Sequence, residues 1–258
     1  MNCPICHKPL EKSGRSWICI NHHCFDQARQ GYVNLSRKQK KTGDNETMSA
    51  ARTKFLETGA YAFLRDALKE KITALHPETF LDLGCGEGYY TREIAASVPE
   101  SYGIDLSKPS IAHAAAKDKH TQYIVGSIYE LPFDDASIDV MTSIFTPIPD
   151  REIRRVLKNQ GILITVTPGR EHHNELKQVL YETVRPNDDP HPVEGMELVD
   201  TQEISQKVHV DDIWSLLEMT PYRYTSPKEG LERVQACTDG LDVTFDFVIQ
   251  TWRKKHND

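Results

Sequence analysis

The sequence lacks the features of a membrane or exported protein. No apolar run approaches the roughly 20 residues that cross a bilayer. The chain starts with Met1-Asn2-Cys3 rather than with a charged and then apolar leader. It also has no internal repeat and no low-complexity stretch. We therefore expect a cytoplasmic protein.

Cysteine is scarce and unevenly placed. The chain has six cysteines in 258 residues, and four of them fall within the first 24. Thiols stay reduced in the cytoplasm, so this cluster predicts metal ligands rather than disulfides. The length allows one large α/β domain with a small appendage, and the 38% apolar share is ordinary for such a protein.

A glycine-rich turn follows a short apolar strand in the first third of the chain. From Leu81 to Thr91 the sequence reads Leu-Asp-Leu-Gly-Cys-Gly-Glu-Gly-Tyr-Tyr-Thr, and its end favours a helix. Glycine lets the backbone bend sharply and approach a ligand closely. A helix N-terminus offers unpaired N–H groups to an anion. Taken alone, the motif is also compatible with a tight turn that binds nothing.

Asp105 strengthens the interpretation as a ligand site. It ends a second strand about twenty residues after the turn, where a carboxylate can accept both hydroxyls of a ribose. Strand, turn, helix, strand and acid arrive in the order of a nucleoside pocket. The glycine spacing differs from the GxGxxG fingerprint that seats a pyrophosphate.

This pattern resembles the S-adenosylmethionine loop of class I methyltransferases. The resemblance implies an α/β, Rossmann-like fold with a mostly parallel seven-stranded sheet. We expect Asn159 and Gly161 to supply the positive φ of the turn before the fifth strand. Ser127 stands where many members of the class have an acid near adenine. Later segments fit as strands at 123–127, 139–144 and 161–167, a helix at 152–158 and an antiparallel strand at 241–249.

The N-terminal cysteines have the spacing of a zinc ribbon. Cys3 and Cys6 form a knuckle, and a second donor group follows the first after a twelve-residue gap. A segment this short has too little core to fold without a metal, so we expect one structural zinc and a core separate from that of the main domain. Cys19 is a clear third ligand. His23 and Cys24 compete for the fourth place.

The charge of the chain is divided between its two parts. Residues 1–41 hold eight bases and two acids, a net charge of +6. Residues 42–258 hold the remaining 23 bases and 36 acids, a net charge of −13. A basic module on an acidic domain suggests a polyanionic partner. Its aromatic residues can either stack on bases or form the core around the metal. They are Trp17, Phe25 and Tyr32.

The N-terminal motifs narrow the resemblance. The cysteines, the stretch from Phe25 to Leu35, the segment from Met48 to Tyr61 and the segment from Thr167 to His172 are together similar to the RlmA family of 23S rRNA guanine-N1 methyltransferases. The likeness covers nearly the whole chain. It implies a zinc-ribbon RNA-recognition domain at 1–38, a methyltransferase domain at 39–258, and 23S rRNA as partner. We also consider a homodimer.

The resemblance also implies individual site residues. It makes His23 the fourth zinc ligand, and it places Tyr61 and His172 against the methyl donor. From the sequence alone, Tyr61 is typical of a packing residue, and His172 with His173 is typical of surface histidines. The expected cofactor-binding residues are Tyr61, Asp82, Gly84, Gly86, Glu87, Gly88, Asp105 and His172.

Phe145 is the candidate for stacking on the target guanine. It follows the fourth strand at its carboxyl end, where open α/β sheets bind ligands. A core position is the alternative. Two other functions stay open: a class I methyltransferase acting on a small molecule or protein, with the ribbon as a lid, and a non-enzymatic RNA-binding module. The proline-rich stretch at 185–192 predicts a loop, and the function of 185–209 stays open.

Overall fold

The computed structural model describes residues 1–37 and 46–255. The expected domain boundary at 38/39 and the basic residues Lys38, Lys40 and Lys41 lie outside this part. None of the described helices is both long and apolar enough to span a membrane. The strands are β1 Leu10–Ser13, β2 Ser16–Cys19, β3 Cys24–Asp26, β4 Val33–Asn34, β5 Thr79–Leu83, β6 Glu100–Asp105, β7 Gln122–Val125, β8 Ile138–Ile144, β9 Leu157–Pro168, β10 Met196–Val210 and β11 Leu241–Lys254. The helices are α1 Glu46–Glu57, α2 Ala62–Thr73, α3 Thr91–Ala95, α4 Lys108–Lys117, α5 Asp150–Val156, α6 Asn174–Leu180, α7 Ile213–Glu218, α8 Tyr222–Thr225 and α9 Lys228–Gln235.

The main sheet has the order β10-β11-β9-β8-β5-β6-β7-β4. Strands from β4 to β9 pair in parallel, and β11 pairs antiparallel with both β9 and β10. The class I methyltransferase fold is therefore confirmed. The sheet contains the seven expected strands and an eighth, β4, which comes from the N-terminal segment.

Helices cover both faces of this sheet because parallel strands need crossover connections. α4 illustrates how the sequence starts one of them. Ser107 caps the helix by accepting a hydrogen bond from the Ser110 N–H, and Pro109 lies in the first turn. Each crossover returns the chain to the same sheet edge, so the carboxyl ends of β5, β6, β8 and β9 meet there.

Two local expectations around the fifth strand were wrong. Leu157 and Lys158 belong to β9 rather than to the preceding helix, which ends at Val156. Gln160, not Asn159 or Gly161, has the positive φ, at 63°. Gly161 instead allows a close approach, because a Cβ there would lie 2.8 Å from both Leu157 and the Lys158 carbonyl.

Part of the segment at 185–209 is regular. Residues 185–195 contain no helix or strand, as expected for 185–192, but the chain then forms the fifteen-residue edge strand β10. Most of its side chains are exposed on both faces. The strand is held by its backbone ladder to β11.

The N-terminal module, residues 1–37, forms a three-stranded antiparallel sheet and then joins the main sheet through β4. Its core is not separate, contrary to expectation. Buried side chains of Leu10, Val33 and Leu35 share one apolar cluster with the main-domain strands. Asn2 adds two hydrogen bonds, from its backbone N–H to the Pro132 carbonyl at 2.7 Å and from its side chain to Asp134 at 2.7 Å.

The three aromatic residues of the module do not form a common stacking surface. Tyr32 is buried between the module and α4, so it is not available to bases. Trp17 and Phe25 face each other across β2 and β3, and both are half-buried against the shared core. The packing alternative therefore describes these side chains better than the stacking one.

The shared core predicts that the two parts unfold together. Leu35→Ala should lower the free energy of unfolding by about 2 to 4 kcal/mol, because it removes buried methyl groups at the junction. Ile20→Ala, at a residue that is 78% exposed, serves as the control and should change it by less than about 0.5 kcal/mol. Calorimetry checks this. Two transitions, of which only one shifts in the Leu35 variant, would contradict the shared core.

Candidate functional site

The expected cofactor residues meet at the carboxyl edge of the main sheet. The glycine turn follows β5, Asp105 ends β6, Phe145 follows β8, and His172 follows β9. Tyr61 reaches the same edge from the segment between α1 and α2. The parallel topology brings these residues together although they are spread over more than a hundred positions.

The glycine turn has a conformation that other residues adopt only with strain. Gly84, Gly86 and Gly88 all have positive φ, at 68°, 52° and 74°. A Cβ on Gly84 or Gly88 would collide with Thr146 or Tyr123, whereas a Cβ on Gly86 would meet nothing within 4 Å. The backbone at Gly86 therefore borders open space, as a close approach to a ligand requires.

Asp105 is held in place by two backbone donors. Its Oδ2 accepts from the Gly86 N–H at 3.1 Å, and its Oδ1 accepts from the Ser107 N–H at 2.7 Å. A carboxylate oxygen can accept more than one hydrogen bond. This arrangement also ties the glycine turn to the start of α4.

Asp82 lies beneath the turn, buried. Its two oxygens accept from the hydroxyls of Thr91 at 2.6 Å and Thr142 at 2.7 Å. Burial raises the pKa of Asp82 to about 6, although both hydroxyls oppose the shift. This carboxyl connects the ends of β5 and β8 with the first turn of α3. The next acid, Glu87, is also buried in the turn.

His172 and His173 are both buried and stacked, with ring centroids 3.7 Å apart, so they are not surface histidines. The Asp246 N–H donates to His172 Nδ1 at 3.2 Å. Burial lowers the pKa of His172 to about 3 and that of His173 well below its usual range. The His172 ring is therefore neutral, and because Nδ1 accepts, its proton is on Nε2.

Gly169 leaves space for the Asp246 carboxylate beside the loop that leads to His172. A Cβ at that position would lie 2.3 Å from the Asp246 carboxylate. The same carboxylate accepts from the Glu171 N–H at 3.0 Å, which fixes the loop that leads to His172. The motif from Thr167 to His172 thus depends on a residue of β11 that the sequence did not single out.

Tyr61 is a packing residue and a wall of the site at once. Its ring lies edge-on to Phe245 and Phe247 with centroids 5.0 Å away from each, and its hydroxyl lies 3.3 Å from His173 Nε2. Burial raises the pKa of Tyr61 above its usual range, so the phenol stays protonated. In the sequence, Phe245 and Phe247 are indicated by the alternation of polar and apolar residues that predicts a strand at 241–249.

Phe145 is exposed rather than part of the core. Its side chain is 44% accessible, and its ring centroid lies 5.4 Å from that of Phe247 and 6.5 Å from that of Tyr61. Its φ of 55° is uncommon for a residue with a bulky side chain and is typical of functional sites. The ring therefore offers an aromatic surface at the edge of the pocket.

The pocket fits an adenosyl and amino-acid ligand in its chemistry. Gly86 supplies close backbone approach, and Asp105 supplies a carboxylate. Tyr90, which the sequence analysis did not single out, has a buried hydroxyl with no hydrogen-bond partner among the described residues. An unpaired buried donor is costly without a partner, and a ligand carboxylate or amine can supply one.

The N-terminal module brings four soft donors together. The ligand atoms of Cys3, Cys6, Cys19 and His23 all lie within 4.8 Å of one another. His23 Nδ1 is 3.5 Å from the Cys3 sulfur and 3.4 Å from the Cys19 sulfur. Tetrahedral zinc with bonds of about 2.3 Å to sulfur needs comparable spacings, so this donor set fits zinc.

Cys24 lies apart from this cluster. It is exposed, and its thiol points to Asp26 at 3.9 Å. Within the cluster, the Lys8 N–H lowers the pKa of Cys6 to about 6, which favours the thiolate that metals bind.

Comparisons with known proteins find matches to both parts of the chain. The family model described as "RlmA, N-terminal" matches residues 1–43, and one described as "Methyltransferase domain" matches residues 81–165. YxjB from Bacillus subtilis, assigned to the 23S rRNA (guanine-N(1)-)-methyltransferases, is 33% identical, with 96% of this chain and 94% of that protein aligned. The 23S rRNA (guanine(748)-N(1))-methyltransferase of Streptomyces fradiae is 35% identical, with 70% and 67% aligned.

Solved structures share the fold. A crystal structure from Bacillus halodurans C-125, titled as a methyltransferase, superposes with a TM-score of 0.50 at 16% identity. It covers 73% of this chain and 99% of its own. A methyltransferase in complex with the Haloferax volcanii Trm112 activator gives a TM-score of 0.50 at 19% identity and covers 83% and 100%.

The tautomer of His172 is testable. We expect the ring to carry its proton on Nε2 and not to titrate between pH 5 and 8, because its pKa lies near 3. Nitrogen-15 NMR of the imidazoles measures both properties. His209 is the internal control: it is exposed, and its hydrogen bond to Asp242 raises its pKa, so it should titrate. A His172 signal that moves with pH like that of His209 would contradict the assignment.

Proposed function

This chain belongs to the 23S rRNA (guanine-N(1)-)-methyltransferase family, and on that premise we propose that it methylates N1 of a guanine in a hairpin loop of 23S rRNA. The methyl donor is S-adenosylmethionine. The observation that carries the proposal is the exposed ring of Phe145 at the carboxyl edge of the sheet, beside the glycine turn. A flipped base needs such an aromatic surface outside the donor pocket.

The donor would be held by residues on three sides of the pocket. Asp105 would accept the ribose hydroxyls, and the backbone at Gly86 would approach the ligand closely. The wall of Tyr61 and His172 would face the sulfonium. Both side chains are neutral, so they do not repel a positive charge. Asp82 would act indirectly, by fixing the turn from below.

S-adenosylmethionine supplies an activated methyl group, so the chain has to place guanine N1 in line with it and exclude water. We propose that Phe145 stacks on the guanine and sets the plane of the base. The proton on N1 has to leave at or before transfer. His172 would not take it, because its Nδ1 already accepts the Asp246 N–H and its Nε2 is a donor.

The ligands of the structural zinc are proposed to be Cys3, Cys6, Cys19 and His23. Bound zinc would fix the loops that carry β1 to β3, and the shared core would transmit that order to β4 and β7. We also propose a cytoplasmic location, where the rRNA substrate is found. The homodimer stays a prediction.

The first test is methylation of 23S rRNA. Unmodified 23S rRNA incubated with the protein and labelled S-adenosylmethionine should gain label and a reverse-transcription stop at one guanine, because N1-methylation blocks base pairing. Phe145→Ala should lower kcat/KM for the rRNA roughly 5- to 150-fold while donor affinity stays unchanged, since a stack is worth about 1 to 3 kcal/mol. Leu75→Ala, at another exposed apolar residue, is the control.

Each outcome of this test has a defined meaning. A native protein that binds the donor but methylates no rRNA would favour the small-molecule or protein alternative. A protein without donor affinity would favour the non-enzymatic RNA-binding module. If Phe145→Ala has the native kcat/KM, Phe145 does not stack on the guanine, but the proposed reaction stands.

The second test concerns the metal. The native chain should contain one zinc, His23→Ala should lose it, and Cys24→Ser should keep it, because only His23 lies with the three thiols. Elemental analysis of the purified proteins measures this directly. Because the cores are shared, the His23 variant should also melt at a lower temperature. Zinc retained in His23→Ala and lost in Cys24→Ser would reverse the assignment.

A further inference from the structure

We propose that a cleft between the N-terminal module and the main domain binds the phosphate backbone of the RNA substrate, away from the methylated base. This junction cleft has a volume of about 360 Å³ and lies between the loop after β3 and the start of β7. The inference rests on the proposed rRNA methyltransferase function. It adds that both parts of the chain contribute to one RNA-binding surface.

Basic side chains from both parts converge on the junction cleft. Lys12 and Arg29 come from the N-terminal module, and Lys119 and His120 come from the segment between α4 and β7. The one acid in its lining, Asp118, is engaged within the protein. Its carboxylate accepts from the His120 N–H at 2.8 Å, the Thr121 hydroxyl at 2.5 Å and the Tyr123 hydroxyl at 3.1 Å.

The basic side chains of the junction cleft differ from many basic side chains of the main domain in the groups that they contact. Many of the latter lie within 4 Å of a carboxylate, and those pairs include Lys54–Asp212, Lys71–Asp200, Lys117–Glu57, Arg154–Glu194, Arg155–Glu152, Lys207–Glu175 and Lys228–Glu232. In the part of the chain that the structure describes, no such ion pair involves Lys12, Arg29 or Lys119. Their charges are not neutralised by a protein carboxylate, which makes them suited to phosphates.

The position of Lys119 is fixed by the fold. Its ammonium donates to the carbonyls of Gln30 and Ala115, at 2.8 and 2.5 Å, so it joins the N-terminal module to the end of α4. Gln27 and Gln122 both donate to the Gly31 carbonyl, at 2.6 and 3.4 Å. The junction cleft is therefore formed before RNA binds, and binding there does not require the two parts to be assembled.

The junction cleft lies within reach of RNA bound at the pocket. Gln122 lines the cleft and starts β7, whereas Val125 ends β7 at the carboxyl edge. Three residue steps of a strand span roughly 10 Å, a small distance for a hairpin. The rest of the main domain is strongly acidic, so unpaired cations are needed there to hold a polyanion. Phosphate contacts in the cleft would thus orient the loop toward Phe145.

The experiment measures binding of an unmodified 23S rRNA transcript to the full zinc-loaded chain across a salt series. Changing Lys12, Arg29 and Lys119 together to Gln should reduce the slope of log affinity against log salt by roughly 2 to 3, since each phosphate contact contributes about 0.7 to 0.9. If the two proteins bind equally at about 1 M salt, where phosphate contacts contribute little, this change of slope lowers the affinity roughly a hundredfold at about 0.1 M salt. Affinity for S-adenosylmethionine and zinc content should not change.

A matched triple variant controls for net charge. Lys69, Lys207 and Lys228 lie on α2, β10 and α9, outside the junction cleft, and changing them to Gln removes the same three charges. For this variant, the slope of log affinity against log salt should differ from the native slope by less than roughly 0.9, the contribution of one phosphate contact.

Two single variants keep the test independent of folding. Arg29 is exposed, so Arg29→Gln alone should lower the affinity roughly fivefold without affecting stability. Lys119→Arg keeps the charge and should bind as the native chain does. If Arg29→Gln and the triple variant bind RNA with the native slope, the junction cleft is not an RNA site. In that case, native methylation activity would leave the proposed function intact, whereas a native chain without any rRNA methylation would overturn the function itself.

Discussion

A buried carboxyl group beneath the glycine turn organises the site. Asp82 bonds Thr91 at the start of α3 and Thr142 within β8, so it connects the strand before the turn, the helix after it and the neighbouring strand. The turn can then keep three glycines at positive φ, and the segment after β8 packs Thr146 against Gly84. Phe145 precedes that threonine. One buried carboxyl group thus connects the glycine turn with the strand that leads to Phe145.

The histidines and tyrosine around the pocket are kept neutral by burial. Desolvation lowers the pKa values of His172 and His173 and raises that of Tyr61. A sulfonium is a fixed cation, so in the proposed function this wall of neutral aromatic rings would accept it without charge repulsion. The hydrogen bond from the Asp246 N–H further selects one tautomer of His172, which makes this histidine a donor.

The N-terminal module and the main domain act as one body. β4 extends the parallel sheet beside β7, and Leu10, Val33 and Leu35 enter the apolar cluster of the main domain. A metal that orders residues 1–37 therefore also supports the edge of the catalytic sheet. The same junction brings basic residues of both parts around one cleft.

The sequence by itself determined the class I fold, the donor motif and the zinc ribbon, because glycine spacing, strand periodicity and cysteine spacing are local signals. It did not determine β10, in which most side chains are exposed and only Met196, Ile204, Val208 and Val210 are shielded from solvent. It also did not determine the left-handed Gln160 within β9. The tertiary structure places His23 rather than Cys24 with the three thiols, buries His172 and His173, and exposes Phe145. It also decided that the two cores are shared and that Asp246, far along the chain, sets the tautomer of His172. Those properties depend on contacts between distant segments, and sequence spacing does not encode such contacts.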